Sequence, residues 1–283
     1  MSSGKIKTKI FNKYLTPIVD NHLVPLYFAY IIELTGKTIL MANIIAIVWD
    51  YDGTLVDTRQ KNLSVNRRII SQITGIPADV FSSLRSLANY DVVQKEMTNW
   101  QDLYQKNYGM NHDQTVRAGQ LWSEYQKEDD TDTPIYFGIK EVVESLRHLP
   151  QGIFSQNSKS QIENVLNKNK LSNSFNSIIG YQELEHGHQK PEPHGLLESV
   201  KNLTSNECGI VLFIGDHVTD FKCAINANSY YFKNHIRITV KTIGVNYTPD
   251  ADPSSWEVRP DFIADRPLDI LEIAGNLERE SND

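Results

Sequence analysis

At 283 residues, with 40% hydrophobic and 22% charged side chains, the chain can bury a substantial core and is too ordinary in composition for a disordered, collagen-like or coiled-coil protein. A formal net charge of -7 argues against a nucleic-acid-binding face, which needs clustered cations. The two cysteines, Cys208 and Cys223, lie in no CxxC spacing, which excludes a disulfide framework or a cysteine-rich zinc site and fits a reducing, cytoplasmic compartment.

Near the N-terminus residues 23–34 (LVPLYFAYIIEL) form a long apolar run. It is shorter than the roughly 20 residues a bilayer span needs and carries Pro25 and Glu33, so a membrane helix is not expected. A long polar segment precedes it, which also argues against a secretory signal. From Met41 the chain passes directly into a strand pattern, so residues 1–40 read as an N-terminal extension that is either a structural segment or an upstream start.

Ile44–Trp49 is a continuous β-branched and apolar run, as expected of a strand buried on both faces of a parallel sheet. Similar runs recur at 152–155, 177–180, 209–216 and 241–247, with a weaker one at Phe262–Ala264. Helical spacing separates most of them, at 139–149, 158–169, 194–202, 219–227 and 267–275. The alternation predicts an α/β, doubly wound, Rossmann-like parallel sheet made from residues 41–57 and 134–283, with ligands at the carboxyl ends of the strands. From 58 to 133 the strand pattern disappears. Helical stretches at 60–73, 78–87, 92–108 and 113–127 predict an all-helical insert, with Trp100, Tyr104, Tyr108, Trp122 and Tyr125 in its core and 127–133 as a solvated hinge.

Asp50-Tyr51-Asp52-Gly53-Thr54 places two carboxylates two residues apart where the first strand leaves the sheet, with Gly53 permitting a tight turn. One carboxylate can attack an electrophile while its neighbour moves protons. Taken alone, the motif also suits a solvated acidic turn. Three further motifs follow in order. Ser155 opens SQNS after a strand, Lys190 stands in KPEP before a helix, and Asp216 and Asp220 lie in GDHVTD after another strand.

This ordered set resembles the haloacid dehalogenase-like superfamily, over roughly residues 44–271, and the insert between the first and second motifs is similar to the small helical cap of its phosphoglycolate phosphatase-like branch. The resemblance implies phosphoryl chemistry, because the second acid, Asp52, is present; carbon–halogen hydrolysis is not expected. It implies Asp50 as nucleophile, Asp52 as acid–base, Ser155 and Lys190 on the phosphoryl group, and Mg²⁺ held by Asp50, Asp216 and the backbone carbonyl of Asp52, with Asp220 in support of the metal or of Lys190. Gln156 and Asn157 lie beside the expected phosphate site as polar substrate-binding candidates. The family turns quickly into its next strand where this chain has residues 230–238, which therefore read as an insertion.

The same assignments make physical sense. Bringing a carboxylate to a phosphate at 4 Å costs about 1 kcal/mol per charge pair in water and about 4 kcal/mol at an effective dielectric of 20, so cations must offset the repulsion. Lys190 supplies one, and Mg²⁺ suits an all-oxygen shell. Ser155 and the amides opening the next helix can donate to phosphoryl oxygens. Lys159 is a competing lysine. His186, His188 and His194 are close in sequence but lack the spacing of a zinc site, and His217 lies at the mouth. Arg59 and Arg85 are candidates for reading an anionic leaving group, or ordinary surface ion pairs. The expected function is a Mg²⁺-dependent phosphatase acting on a small phosphorylated metabolite. The alternatives are a phosphomutase, which would use the same acids, and a non-catalytic phosphate- or metal-binding regulatory module, against which the intact Asp50 and Asp52 argue.

Overall fold

Along the first strand, β1 (Ile44–Trp49), every residue is buried, which only a central position in a covered sheet allows. The computed structural model of the protein, which describes residues 43–96, 100–185, 187–205, 208–247 and 257–280, puts it there. With β2 (Gln151–Phe154), β3 (Ser177–Ile179), β4 (Gly209–Gly215), β5 (Ile238–Val245) and β6 (Phe262–Ala264) it forms one sheet in the order β3-β2-β1-β4-β5-β6. All neighbours run parallel. The chain winds outward one way through β2 and β3 and the other way through β4 to β6, so the order reverses between β1 and β4. Crevices at such switch points, beyond the strand ends, are where ligands bind in this architecture.

Side-chain alternation gives each face of the sheet its own core. Ile47 and Trp49 pack with the helices α4 (Ile139–Ser145), α5 (Lys159–Lys168) and α8 (Asp269–Glu280). Ala46 and Val48 face the other way, toward α6 (His194–Leu203) and α7 (Val218–Lys233). The expected doubly wound parallel sheet is therefore present. No helix among the described residues is long and apolar enough to cross a membrane.

Between β1 and β2 the chain builds a separate apolar cluster from α1 (Arg59–Thr74), α2 (Leu87–Glu96), α3 (His112–Glu128) and the helical turns Trp100–Asp102 and Leu103–Asn107. Tyr104, Tyr108 and Tyr125 are buried there, and Trp100 and Trp122 pack against them, as their helical spacing predicted. The strands leading into and out of this insert pair with each other. Val56 bridges Ile135 in antiparallel fashion, Asp57 N donates to Pro134 O at 2.8 Å, and Tyr136 N to Leu55 O at 3.1 Å.

Local outcomes differ from expectation in three places. Residues 78–87 were expected to be helical but make two 3-10 turns, Ala78–Val80 and Ser82–Leu84. Guanidinium groups bond to carbonyls of this stretch: Arg67 Nε donates to Leu84 O and Arg85 Nε to Asp79 O, the latter a carbonyl that a helix over 78–87 would use. The expected hinge at 127–133 begins later, because Lys127 and Glu128 complete α3, and Asp129 accepts a 2.6 Å hydrogen bond from Ser64 of α1. The helix expected at 219–227 runs on to Lys233, so residues 230–238 supply its last turn, a short reversal and the first residue of β5, because Ala224, Ala227 and Tyr231 keep a helical spacing into the same buried layer. Residues 1–40, with the apolar run 23–34, lie outside the described residues.

Candidate active site

The switch point collects acids. Asp50 follows β1, its amide donating to Ile214 O of β4 at 2.7 Å, and Asp216 follows β4. Between them the chain turns at Gly53, with φ of 75°, where a Cβ would stand 2.2 Å from Asp216 Oδ2. Only glycine admits both that dihedral and that approach. Thr54 Oγ1 donates to Asp216 Oδ1 at 3.5 Å.

Lys190 reaches in from the loop before α6. Its Nζ lies 2.5 Å from Asp50 Oδ1 and 2.6 Å from Asp220 Oδ1, and its side chain is 2% exposed. Asp220 sits in the first turn of α7, where its Oδ2 accepts from His217 N at 3.1 Å. His217 caps that helix, its Nδ1 accepting from Thr219 N at 3.3 Å. A carboxylate in the first turn suits the partial positive charge of a helix N-terminus.

Asp52 is gripped from the β2 side. Asn157 Nδ2 donates to its two carboxylate oxygens at 3.1 and 3.3 Å, and Ser155 Oγ to Oδ2 at 3.5 Å. The neighbouring Thr58 side chain also favours the charged form of Asp52. Ser155 Oγ in turn accepts from Asn157 N at 3.0 Å, and Ser158 begins α5 as its N-cap. Of the expected site residues, Asp50, Lys190 and Asp220 form one bonded group, Asp52, Ser155 and Asn157 a second, and Asp216 lies close enough to Asp50 and Asp220 to share their charge; Gln156 is exposed. Thr58, which sequence reasoning passed over, carried no motif signal beyond lying six residues after Asp52.

Burial dominates the electrostatics. It pushes the Asp50 carboxyl up to about 7, with repulsion from Asp220 and Asp52 adding to it and Lys190 opposing. Burial also raises Asp52, against the hydrogen bonds from Thr58 and Asn157 and the charge of Lys190. Asp216 is raised well above the usual carboxylate range by burial and by Asp50 and Asp220. For Lys190, burial lowers the ammonium pKa but is outweighed by Asp220 and Asp50, so the ammonium is kept charged. His217 is lowered by burial, which favours its neutral ring.

Asp50, Asp216 and Asp220 each offer one oxygen, all within 4.8 Å of one another. Hard carboxylate donors next to a glycine turn too tight for a side chain fit a small oxygen-seeking cation. No histidine-based group of this kind exists among the described residues. His188 and His194 stack face to face, centroids 3.7 Å apart, while His186 lies outside the described residues. Arg59 is engaged by Asp57 at 2.6 Å and Asp91 at 3.1 Å, the ion-pair alternative for that residue, and Arg85 donates to the carbonyls of Asp79 and Val80.

An acid-rich crevice at the switch point of a parallel sheet, interrupted after its first strand by a helical insert, defines a doubly wound, Rossmann-like α/β protein with its candidate site at the strand ends. Residues 47–232 match the haloacid dehalogenase-like hydrolase family, and the chain belongs to it. A pyrophosphatase, PpaX of Bacillus cereus strain G9842, is 26% identical over 143 residues, which are 49% of this chain and 60% of PpaX. The chain thus spans about three-fifths of the length of that curated relative. Among solved structures, a predicted phosphoglycolate phosphatase from Haemophilus somnus is 19% identical with a TM-score of 0.61, covering 82% of this chain and 99% of its own. A haloacid dehalogenase-like family hydrolase from Streptococcus pneumoniae is 18% identical with a TM-score of 0.59, covering 81% and 98%. These likenesses establish the fold.

Proposed function

We propose that this protein is a Mg²⁺-dependent phosphatase that hydrolyses a small phosphorylated metabolite through an aspartyl-phosphate. The observation that carries the reading is the placement of Asp50 and Asp52 at one strand end, with Lys190 on the first and Asn157 on the second. The names of the relatives, a pyrophosphatase and a phosphoglycolate phosphatase, one an anhydride and the other an ester hydrolase by name, support phosphoryl chemistry.

An Asp50 oxygen attacks phosphorus as the bond to the leaving oxygen breaks, and that oxygen takes a proton from Asp52. Asp52, now a carboxylate, takes a proton from water, whose oxygen attacks phosphorus. The bond from phosphorus to Asp50 breaks, which restores the carboxylate and releases inorganic phosphate. Lys190 holds positive charge beside the attacking group, and Ser155 and Asn157 aim the Asp52 side chain. Asp50, Asp216 and the main-chain carbonyl of Asp52 would hold Mg²⁺, with Asp220 retained by Lys190. When bound, the ion offsets negative charge where four carboxylates, Asp50 and Asp220 buried and Asp52 and Asp216 half-buried, gather around one ammonium. We read the insert, 58–133, as a cap over the crevice that reads the leaving group, a reading supported by its helical cluster between β1 and β2. The cytoplasm is the proposed setting, supported by two free cysteines, one of them exposed.

The test is a panel of aryl phosphate, phosphoglycolate, sugar phosphates and pyrophosphate, assayed with and without Mg²⁺. Turnover that needs both Mg²⁺ and Asp50 is expected. A panel without turnover overturns the reading.

A further inference from the structure

Lys190 has carboxylates at its tip and benzene rings beside it. Its Nζ lies 4.9 Å from the centroid of the Phe154 ring and 5.2 Å from that of Phe213, both inside the distance of about 6 Å at which a ring face attracts an ammonium. Phe154 ends β2 and Phe213 lies in β4, the strands on either side of β1. The rings are stacked, 6.3 Å apart and 21° from parallel, and form one floor in the layer covered by α6 and α7.

That floor is held tightly. A Cβ on Gly195 of α6 would come within 2.3 Å of a Phe154 ring carbon, so the helix backbone itself clamps the ring. The loop carrying Lys190 is fastened from α7, where Asn226 Nδ2 donates to Pro191 O at 3.0 Å and Cys223 Sγ to Glu192 O at 3.3 Å. Packing alone asks only for apolar volume at 154 and 213, which leucine or isoleucine also supplies. A benzene ring adds a negative face.

We propose that Phe154 and Phe213 are positioning residues that hold the Lys190 ammonium over the crevice through their ring faces. The inference rests on the phosphatase reading and assigns a role to two residues it leaves unused. Once Asp50 is bonded to phosphorus it no longer offers Lys190 a full carboxylate charge. Asp220 and the two ring faces then keep the ammonium in place while the phosphoryl group is transferred and hydrolysed.

Ring fluorination tests this, because it withdraws electron density from the face with little change of shape. Mono-, di- and trifluorinated phenylalanine are placed singly at 213 or 154 of the full-length protein and assayed with Mg²⁺ and p-nitrophenyl phosphate. The expected result is a stepwise fall in kcat with fluorine number, to about a tenth at three fluorines, with KM and Tm nearly constant. The same series at Phe175, a buried ring in the opposite core layer, should leave kcat unchanged. Equal kcat across both test series in an otherwise active protein overturns the aromatic floor and leaves the phosphatase reading standing. Losses that follow Tm instead of fluorine number assign the rings to packing and also overturn it. Unsubstituted protein that turns over no member of the substrate panel overturns the phosphatase reading and this inference with it; where another member is the better substrate, the series is read on that substrate.

Discussion

Asn157 Nδ2 donates to both carboxylate oxygens of Asp52, at 3.1 and 3.3 Å, so the second acid of the crevice is aimed by an amide from the loop that follows β2. Hydrogen bonds to a charged group are worth about 1.5–3 kcal/mol. Asn157→Ala is therefore expected to lower kcat about tenfold to a hundredfold. The loss should be larger for alkyl than for nitrophenyl phosphates, whose leaving oxygens need little protonation. An equal loss for both leaving groups in single-turnover assays would count against this role.

Asp50→Asn removes the attacking carboxylate and one partner of Lys190 while preserving shape. Aryl phosphate turnover should vanish, with thermal stability retained, because the amide cannot form the acyl-phosphate. Asp52→Asn should keep metal binding but slow both half-reactions. Rapid-quench measurement of phosphoenzyme separates the two, since Asp50→Asn forms none and Asp52→Asn forms it slowly.

Chelation by EDTA is expected to abolish activity, and Mg²⁺ to restore it. Asp216→Ala should raise the Mg²⁺ concentration needed for half-maximal rate by an order of magnitude or more, since loss of a direct ligand should cost at least the roughly 10–100-fold of losing a group that only supports one. Gly53→Ala acts on the same group from the other side, since its methyl would meet Asp216 Oδ2 at 2.2 Å. Mg²⁺ titrations of both variants check this, and an unchanged requirement would remove Asp216 from the metal shell.

Stability of the metal-free protein should fall as pH rises toward neutrality. Asp50, Asp52 and Asp216 have folded pKa values above their unfolded ones, that of Asp50 reaching about 7. Such groups bind protons more tightly in the folded chain, so their contribution is complete below about pH 4 and is lost as pH rises through the folded pKa. His217, lowered by burial, works in the opposite sense but is one group against three. Asp57, lowered by its hydrogen bonds from Arg59, completes its contribution near the bottom of the window. Melts in EDTA should give a higher Tm at about pH 5 than at about pH 7.5, and Mg²⁺ should raise Tm more at the higher pH. A higher metal-free Tm at about pH 7.5 would contradict the sign.

Legibility differed by region for identifiable reasons. The strands of the sheet read well because burial on both faces forces continuous apolar runs such as Ile44–Trp49, and their ends expose the acids. The insert read poorly in detail. Residues 78–87 have helical spacing, yet carbonyls of this stretch bond to Arg67 and Arg85, and no periodicity encodes where a distant guanidinium will land. The helix expected at 219–227 read short, because its buried face continues through Tyr231 to Lys233 while exposed polar residues interrupt the apolar pattern there.

By itself the sequence determined the alternation of strands and helices, the family resemblance and the identity of the acids, because apolar periodicity and motif order are properties of the one-dimensional chain. Only the tertiary structure decided who touches whom. That Asn157 serves Asp52, that Asp220 holds Lys190 from α7, and that Phe154 and Phe213 lie beside the same ammonium depend on strands 2, 1 and 4 being neighbours in the sheet. Side chains more than a hundred residues apart, such as Asn157 and Asp52, meet through the packing of whole elements, and a residue's type does not record which partner that packing will bring.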